Sequence, residues 1–305
     1  MKKISRAGAE SMLVLTTAVW GSTFLIIKVL IAGSAANSPF ALISSRFILA
    51  TVIALVVLFP KRLPTRHELE GGLVIGLAAF AGFAFQTIGL LYTTPAKSGF
   101  ITSLFVLLVP FLSRFWEKAK VPMQVYIALI PAGIGLWFIS GAGMSIAEIN
   151  PGDKITFLSA CAYAFQIVGI QIYTRRGDWR WLSILQFAVI AVGGSIGLLF
   201  ESNPSLDMTI GSLGGILYLA AVATVGALGV QLYAQKHTTS SRASLIYIAE
   251  PIFAAVIAWV FARHSMTLRE IVGAGFILLS MLVGRLRVGG VARGGSRDTK
   301  LIEKP

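Results

Sequence analysis

Glu250 is the one acidic residue near the centre of any apolar segment of this chain, and it immediately precedes Pro251. A carboxyl at such depth in hydrocarbon is costly, so it serves a cationic group, a transferable proton or a buried hydrogen bond. Ser244, Tyr247 and Glu250 recur at i, i+3 and i+6, which places them on one polar stripe of a helix. Arg46 lies inside another apolar segment. A guanidinium facing lipid there costs on the order of 3 kcal/mol, so it has to meet protein, water or an anion. A substrate carboxylate, a gate partner and nearby backbone carbonyls all satisfy it. Lys28, close to the end of its segment, can snorkel to the interface.

Trp20 and Tyr163 fall near the middle of their segments, although amphipathic rings usually prefer the membrane interfaces. They either face a cavity or pack as buried aromatics with the polar tip bonded to a neighbour. Thr23 follows Trp20, and Gln166 follows Tyr163, by one turn on the same helix face. Ser98 and Thr102, spaced i and i+4, complete the candidate substrate-contacting set. Gln86 and Gln231 come late in their segments and are expected near opposite membrane faces. They are candidate gate residues, or interhelical hydrogen bonds worth about 0.6 kcal/mol each.

The elements that position these residues follow from composition. The chain has 305 residues, 56% hydrophobic and 13% charged, against about 25% charged in soluble proteins. So few charges cannot cover a water-facing surface, and the length suits spans of about 20 residues each. Apolar runs bounded by Gly, Pro and charge predict ten transmembrane helices at about 9–31, 39–59, 71–92, 95–116, 122–141, 152–174, 180–201, 211–235, 241–262 and 268–286. The tail 288–305 is expected to be disordered and basic. The first apolar run exceeds a signal-peptide core and reads as a retained helix. Gly72/Gly76, Gly193/Gly197 and Gly211/Gly215 have the spacing of close helix packing.

The net charge of +13 does not point to nucleic acid, because the basic residues sit in short loops. Lys97, Lys154, Arg263 and Arg269 fall in loops on one side, Lys28 and Arg46 inside helices, and all other Lys and Arg on the opposite side. The positive-inside rule then predicts both termini in the cytoplasm. Cys161 is the only cysteine, so an intramolecular disulfide is impossible, and His67, His237 and His264 lie in predicted loops. No metal or cofactor is expected.

An internal repeat is visible. Thr93-Thr94-Pro95-Ala96-Lys97-Ser98 aligns with Thr238-Thr239-Ser240-Ser241-Arg242-Ala243 at an offset of 145, as does Gln86 with Gln231. Trp20-Gly21 aligns with Tyr163-Ala164 at 143, and Pro110 with Pro251 at 141, which implies about one helical turn deleted from the second half. Two five-helix units follow, 1–145 and 146–287. Five is odd, so the second unit is inverted, an arrangement typical of alternating-access carriers.

With these elements in place, the sequence resembles the drug/metabolite transporter superfamily in its EamA branch. The resemblance rests on Ala18-Val19-Trp20-Gly21-Ser22-Thr23-Phe24, Ser44-Ser45-Arg46-Phe47, Tyr92 to Phe100 with Val109-Pro110, and above all Ser241 to Phe253. It implies ten helices, cytoplasmic termini, a central cavity between the halves, and peripheral fifth and tenth helices. It also implies a carrier of amino acids, other metabolites or toxic compounds, often outward, in a bacterial inner membrane. One departure is Ala262-Arg263-His264-Ser265, where relatives often carry a Gly-Glu pair; the first repeat keeps only Glu117 nearby.

The expected function is therefore a multi-pass secondary transporter whose partners are a small-molecule substrate, such as an amino acid or other carboxylate, and the lipid bilayer. The oligomeric state is left open, with a monomer allowed. An intramembrane protease would need a histidine within a helix, and metal hydrolysis would need clustered ligands at depth. A channel or scaffold leaves the inverted repeat unexplained. An ATP-driven pump would need a phosphate-binding loop, and none is present.

Overall fold

A computed structural model describes residues 4–32, 37–139, 150–262 and 267–286. Every regular element among them is helical: α1 (Arg6–Ala32), α2 (Pro39–Leu58), α3 (Arg66–Tyr92), α4 (Pro95–Ser103), α5 (Phe105–Phe115), α6 (Met123–Ile139), α7 (Pro151–Tyr173), α8 (Trp179–Gly197), α9 (Ile210–Tyr218), α10 (Ala227–Gln235), α11 (Ser240–Tyr247), α12 (Glu250–Ala262) and α13 (Leu268–Arg285). A π-helical stretch, Leu219–Gly226, joins α9 to α10. The expected disordered tail 288–305, the unit boundary at 145/146 and the Arg263-His264-Ser265 departure lie outside the described residues.

Eight helical segments among the described residues are long and apolar enough to cross a membrane. The other two expected spans correspond to the shorter apolar α6 and to α13. These two pack on each other through a reciprocal glycine contact, in which a Cβ on Gly135 would stand 2.7 Å from the Gly273 carbonyl oxygen. The exterior is rich in exposed Leu, Ile, Val and Phe, including Leu15, Val29, Val56 and Leu199. That surface suits hydrocarbon, and helices satisfy their own backbone groups within it.

Polar caps start the helices. Thr65 and Glu68 form a capping box on α3, Asn150 and Asp153 on α7, and Thr267 and Glu270 on α13. The α3 box explains why that helix starts at Arg66, a turn before the apolar run at 71. Thr94 and Thr239 cap α4 and α11 in the same way, each by accepting from the backbone N–H three residues on.

Two expected spans break at a turn. α4 gives way to α5 at a tight turn where Leu104 N–H donates to Ile101 O and Leu107 N–H to Leu104 O. α11 gives way to α12 through Ala249 N–H to Ile246 O and Ile252 N–H to Ala249 O. These bonds match residue for residue at an offset of 145, so the repeat keeps its register through both breaks. Pro251 is accordingly the counterpart of Val106, not of Pro110, and no turn is deleted before it. Pro251 lacks the N–H that would reach Tyr247 O, which is where α11 ends. In the first half, Ser103 Oγ donates to Gly99 O at 2.7 Å, a back-bond that bends helices.

The halves interlock. α3 lies against α7 and α8, and α1 lies against α10, α11 and α12. Gly72 and Gly76 receive Leu185 and Val189, while Gly193 and Gly197 receive Phe80 and Phe40. Gly211 meets nothing within 4 Å, so its expected packing role has no partner among the described residues, and Gly215 meets Leu30. At Gly89 a Cβ would stand 2.3 Å from Thr156 Oγ1 and 2.9 Å from Gly152 O, so α3 and α7 approach almost backbone to backbone.

Candidate functional site

The interlocked helices leave a narrow chamber of about 60 Å³ at the level of Trp20 and Tyr163. Its lining falls into pairs related by the repeat: Trp20 with Tyr163 and Thr23 with Gln166 at 143, then Phe83 with Leu228, Gln86 with Gln231, Thr102 with Tyr247 and Phe105 with Glu250 at 145. Arg46 and Ile167 complete the wall without mates. The chamber therefore lies where the two repeats meet, and its charged groups are what break the pairing: Arg46 has no mate in the lining, and Glu250 stands where the other half has Phe105.

Each aromatic is held by its polar tip. Trp20 Nε1 donates to Ala223 O at 3.3 Å, and the Trp20 and Tyr247 ring centroids are 5.5 Å apart, edge to face. Tyr163 Oη donates to Gln86 Oε1 at 3.3 Å, and Gln86 Nε2 to Thr102 Oγ1 at 3.2 Å. Tyr247 Oη donates to Gln235 Oε1 at 3.0 Å, and Gln235 in turn binds Ile167 O. Glycine at position 82 leaves room for the Tyr163 ring, which a Cβ there would meet at 2.6 Å.

Arg46 is 4% exposed, and its Nε donates to Thr224 Oγ1 at 2.9 Å. Its guanidinium carbon lies 5.0 Å from the centroids of both the Phe47 and Phe83 rings. Thr224 sits in the π-helical stretch and donates its own hydroxyl to Leu219 O, five residues back. The widened turn thus presents both the Thr224 hydroxyl to Arg46 and the Ala223 carbonyl to Trp20. Neither Arg46 nor Glu250 has an ion-pair partner among the described residues. A wall with one fixed cation, one carboxyl and five aromatic rings can receive a small polar molecule with an anionic group, and an apolar part besides.

Of the residues singled out from sequence, Trp20, Thr23, Arg46, Thr102, Tyr163, Gln166, Tyr247 and Glu250 meet at this chamber, together with Gln86 and Gln231. The two glutamines were expected near opposite membrane faces, and that expectation is corrected. Gln86 bonds Tyr163, and Gln231 accepts from Gln166 at 3.4 Å, so both lie at chamber depth. Ser98 and Ser244 are absent from the lining. Ser98 sits in the first turn of α4, above the chamber, its hydroxyl buried without a partner. Ser244 donates to Ser241 O within its own helix. Ser244 shares α11 with Tyr247 but sits one turn nearer its start, and of the expected stripe only Tyr247 and Glu250 line the chamber. Lys28 reaches inward to cap α3, donating to Leu90 O at 2.6 Å and Thr93 O at 3.2 Å, rather than snorkelling outward.

Sequence reasoning missed Phe83, Phe105, Ile167 and Leu228 in the wall, and Thr224 behind it. The repeat offset applied to Glu250 would have found Phe105. Nothing in the sequence marked the π-helical stretch, and hence nothing marked Thr224.

The EamA-like transporter family model matches residues 8–141 and again residues 150–284. An uncharacterized transporter of Archaeoglobus fulgidus is 30% identical over 286 residues, covering 93% of this chain and 88% of the relative. The uncharacterized transporter YyaM of Bacillus subtilis is 26% identical, covering 86% and 88% respectively. A solved structure described as "Crystal structure of protein" superposes with a TM-score of 0.72 at 17% identity, over 92% of this chain and 98% of that one, a likeness of fold alone.

Proposed function

This chain belongs to the EamA-like transporter family, and we propose that it is a secondary transporter of small carboxylate-bearing metabolites, amino acids or related compounds, moved outward across a bacterial cytoplasmic membrane. The two halves, 1–145 and 146–287, rock about the chamber and expose it to each face in turn, with both termini on the cytoplasmic side. One observation carries the reading: a chamber walled by residues of both repeats, whose two charged groups lack ion-pair partners among the described residues. Arg46 holds the substrate carboxylate. Glu250 receives a cationic group or carries a proton. Trp20, Thr23, Thr102, Tyr163, Gln166 and Tyr247 shape the rest, and Gln86 and Gln231 join helices across the chamber as it changes access.

The test is efflux from proteoliposomes holding the purified protein and a mixed pool of amino acids and small metabolites, with and without a pH gradient. Saturable efflux of one carboxylate-bearing class is the expected result. Flux that rises linearly with concentration would indicate a channel, and no flux of any compound through folded protein would overturn the proposal.

A further inference from the structure

The repeated segment around Thr93 and Thr238 takes no part in the chamber, yet it makes the same contact twice. Asp153, in the first turn of α7 and 4% exposed, accepts from Thr93 Oγ1 at 2.7 Å, and Lys97 Nζ lies 3.7 Å from its other oxygen. Glu10, in the first turns of α1 and 7% exposed, accepts from Thr238 Oγ1 at 3.4 Å, and an Arg242 guanidinium nitrogen lies 3.7 Å away. Thr93 and Thr238, and Lys97 and Arg242, are mates at 145; Glu10 and Asp153 are mates at 143. In each case the carboxylate belongs to one repeat and the hydroxyl and a cation to the other; Glu10 also pairs with Arg6 of its own helix at 3.3 Å.

The two contacts lie at opposite ends of the molecule. Lys28 binds the Thr93 carbonyl, so the Asp153 contact is at the C-terminal end of α1, while Glu10 is at its N-terminal end. Eighteen residues of helix separate Glu10 from Lys28, about 27 Å at 1.5 Å each. The chamber lies between: Trp20 follows Glu10 by ten residues and Tyr163 follows Asp153 by ten, about 15 Å in each case.

We propose that these are two symmetry-related latches, one tying the halves together at each end of the chamber, and that transport requires one to part while the other holds. The proposal rests on the alternating-access reading above. Each end has a further tie between the halves. At the Glu10 end, Glu117 accepts from Ser240 Oγ at 2.7 Å and pairs with Arg175 at 2.5 Å. At the Asp153 end, Glu201 accepts from Ser38 Oγ and from the Phe40 backbone N–H, and Asn37 Nδ2 donates to Ser212 Oγ at 3.0 Å.

The experiment reads access rather than flux, so it can fail while transport stands, and the reverse. With Cys161→Ser removing the native thiol, Thr23→Cys places a reporter in the chamber wall. Labelling by a membrane-impermeant sulfonated thiol reagent is timed in sealed vesicles of both orientations. Asp153→Asn should raise the rate about tenfold from one side only. Glu10→Gln should raise it from the other side only. The exchanged pair Lys97→Asp with Asp153→Lys restores the charge pair but not the Thr93 bond, and should bring the rate closer to the parent's than Asp153→Asn does. Thr93→Val and Thr238→Val, which leave the helix caps intact, carry the same one-sided expectations should a carboxylate variant fail to fold. Unchanged rates, equal increases from both sides, or a reporter that stays unlabelled in every variant yet reacts after denaturation would each overturn the latches.

Discussion

Replacing Arg46 by Gln separates a substrate-binding guanidinium from a structural one. In the folded chain this group has three supports: the Thr224 hydroxyl at 2.9 Å and two aromatic faces at 5.0 Å. A hydrogen bond from a charged donor is worth about 1.5–3 kcal/mol, and each desolvated cation–π contact up to about 2 kcal/mol. Against them stands a desolvation penalty of several kcal/mol for a buried ion. The terms nearly cancel, so Arg46→Gln should change folding stability by no more than about 1 kcal/mol, an amount set by that desolvation balance. A bound carboxylate adds a further charge-assisted bond, and losing it should weaken binding roughly 10- to 150-fold. Both quantities can be read on one detergent-solubilised preparation, by calorimetric titration with the transported compound and by thermal unfolding. The uncharged amide analogue should bind parent and variant alike. Affinity for the carboxylate held within twofold, or a steep fall in unfolding midpoint with affinity intact, would refute the argument and leave Arg46 as a helix-packing residue.

Two other perturbations probe separate parts of the molecule. Glu250→Gln should abolish the gradient-driven component of uptake while leaving downhill exchange, and unaltered pH dependence in proteoliposomes would remove Glu250 from the coupling. Gly89→Ala places a Cβ 2.3 Å from Thr156 Oγ1 and 2.9 Å from a backbone oxygen, so overpacking should cost about 1–3 kcal/mol; an unchanged unfolding midpoint would contradict so close an approach of α3 and α7.

Hydrophobic patterning and the repeat were readable because they are one-dimensional. A run of about 20 apolar residues is a helix in lipid whatever surrounds it, since no other structure satisfies its backbone. The motif at Thr93 and its copy at Thr238 likewise mark two related halves in the residue order alone. The same logic brought Trp20 and Tyr163 to the chamber, because mid-depth polar aromatics need a polar neighbour. It failed at Ser98 and Ser244, which share a helix with Thr102 and Tyr247 but sit one turn nearer its start, outside the chamber lining.

The sequence by itself determined the apolar spans and the duplication, because hydropathy and repeat offset are properties of residue order. Tertiary structure decided which faces of those helices meet. Only interlocking at glycines such as Gly82 and Gly89 brings Gln86 and Gln231 to one depth, and only the widened turn at 219–226 turns the Thr224 hydroxyl toward Arg46. The pairing of Glu10 with Arg242 and of Asp153 with Lys97 belongs to that second class. The attraction between such charges acts across space, and residues far apart in the chain acquire it only when packing sets them a few ångströms apart.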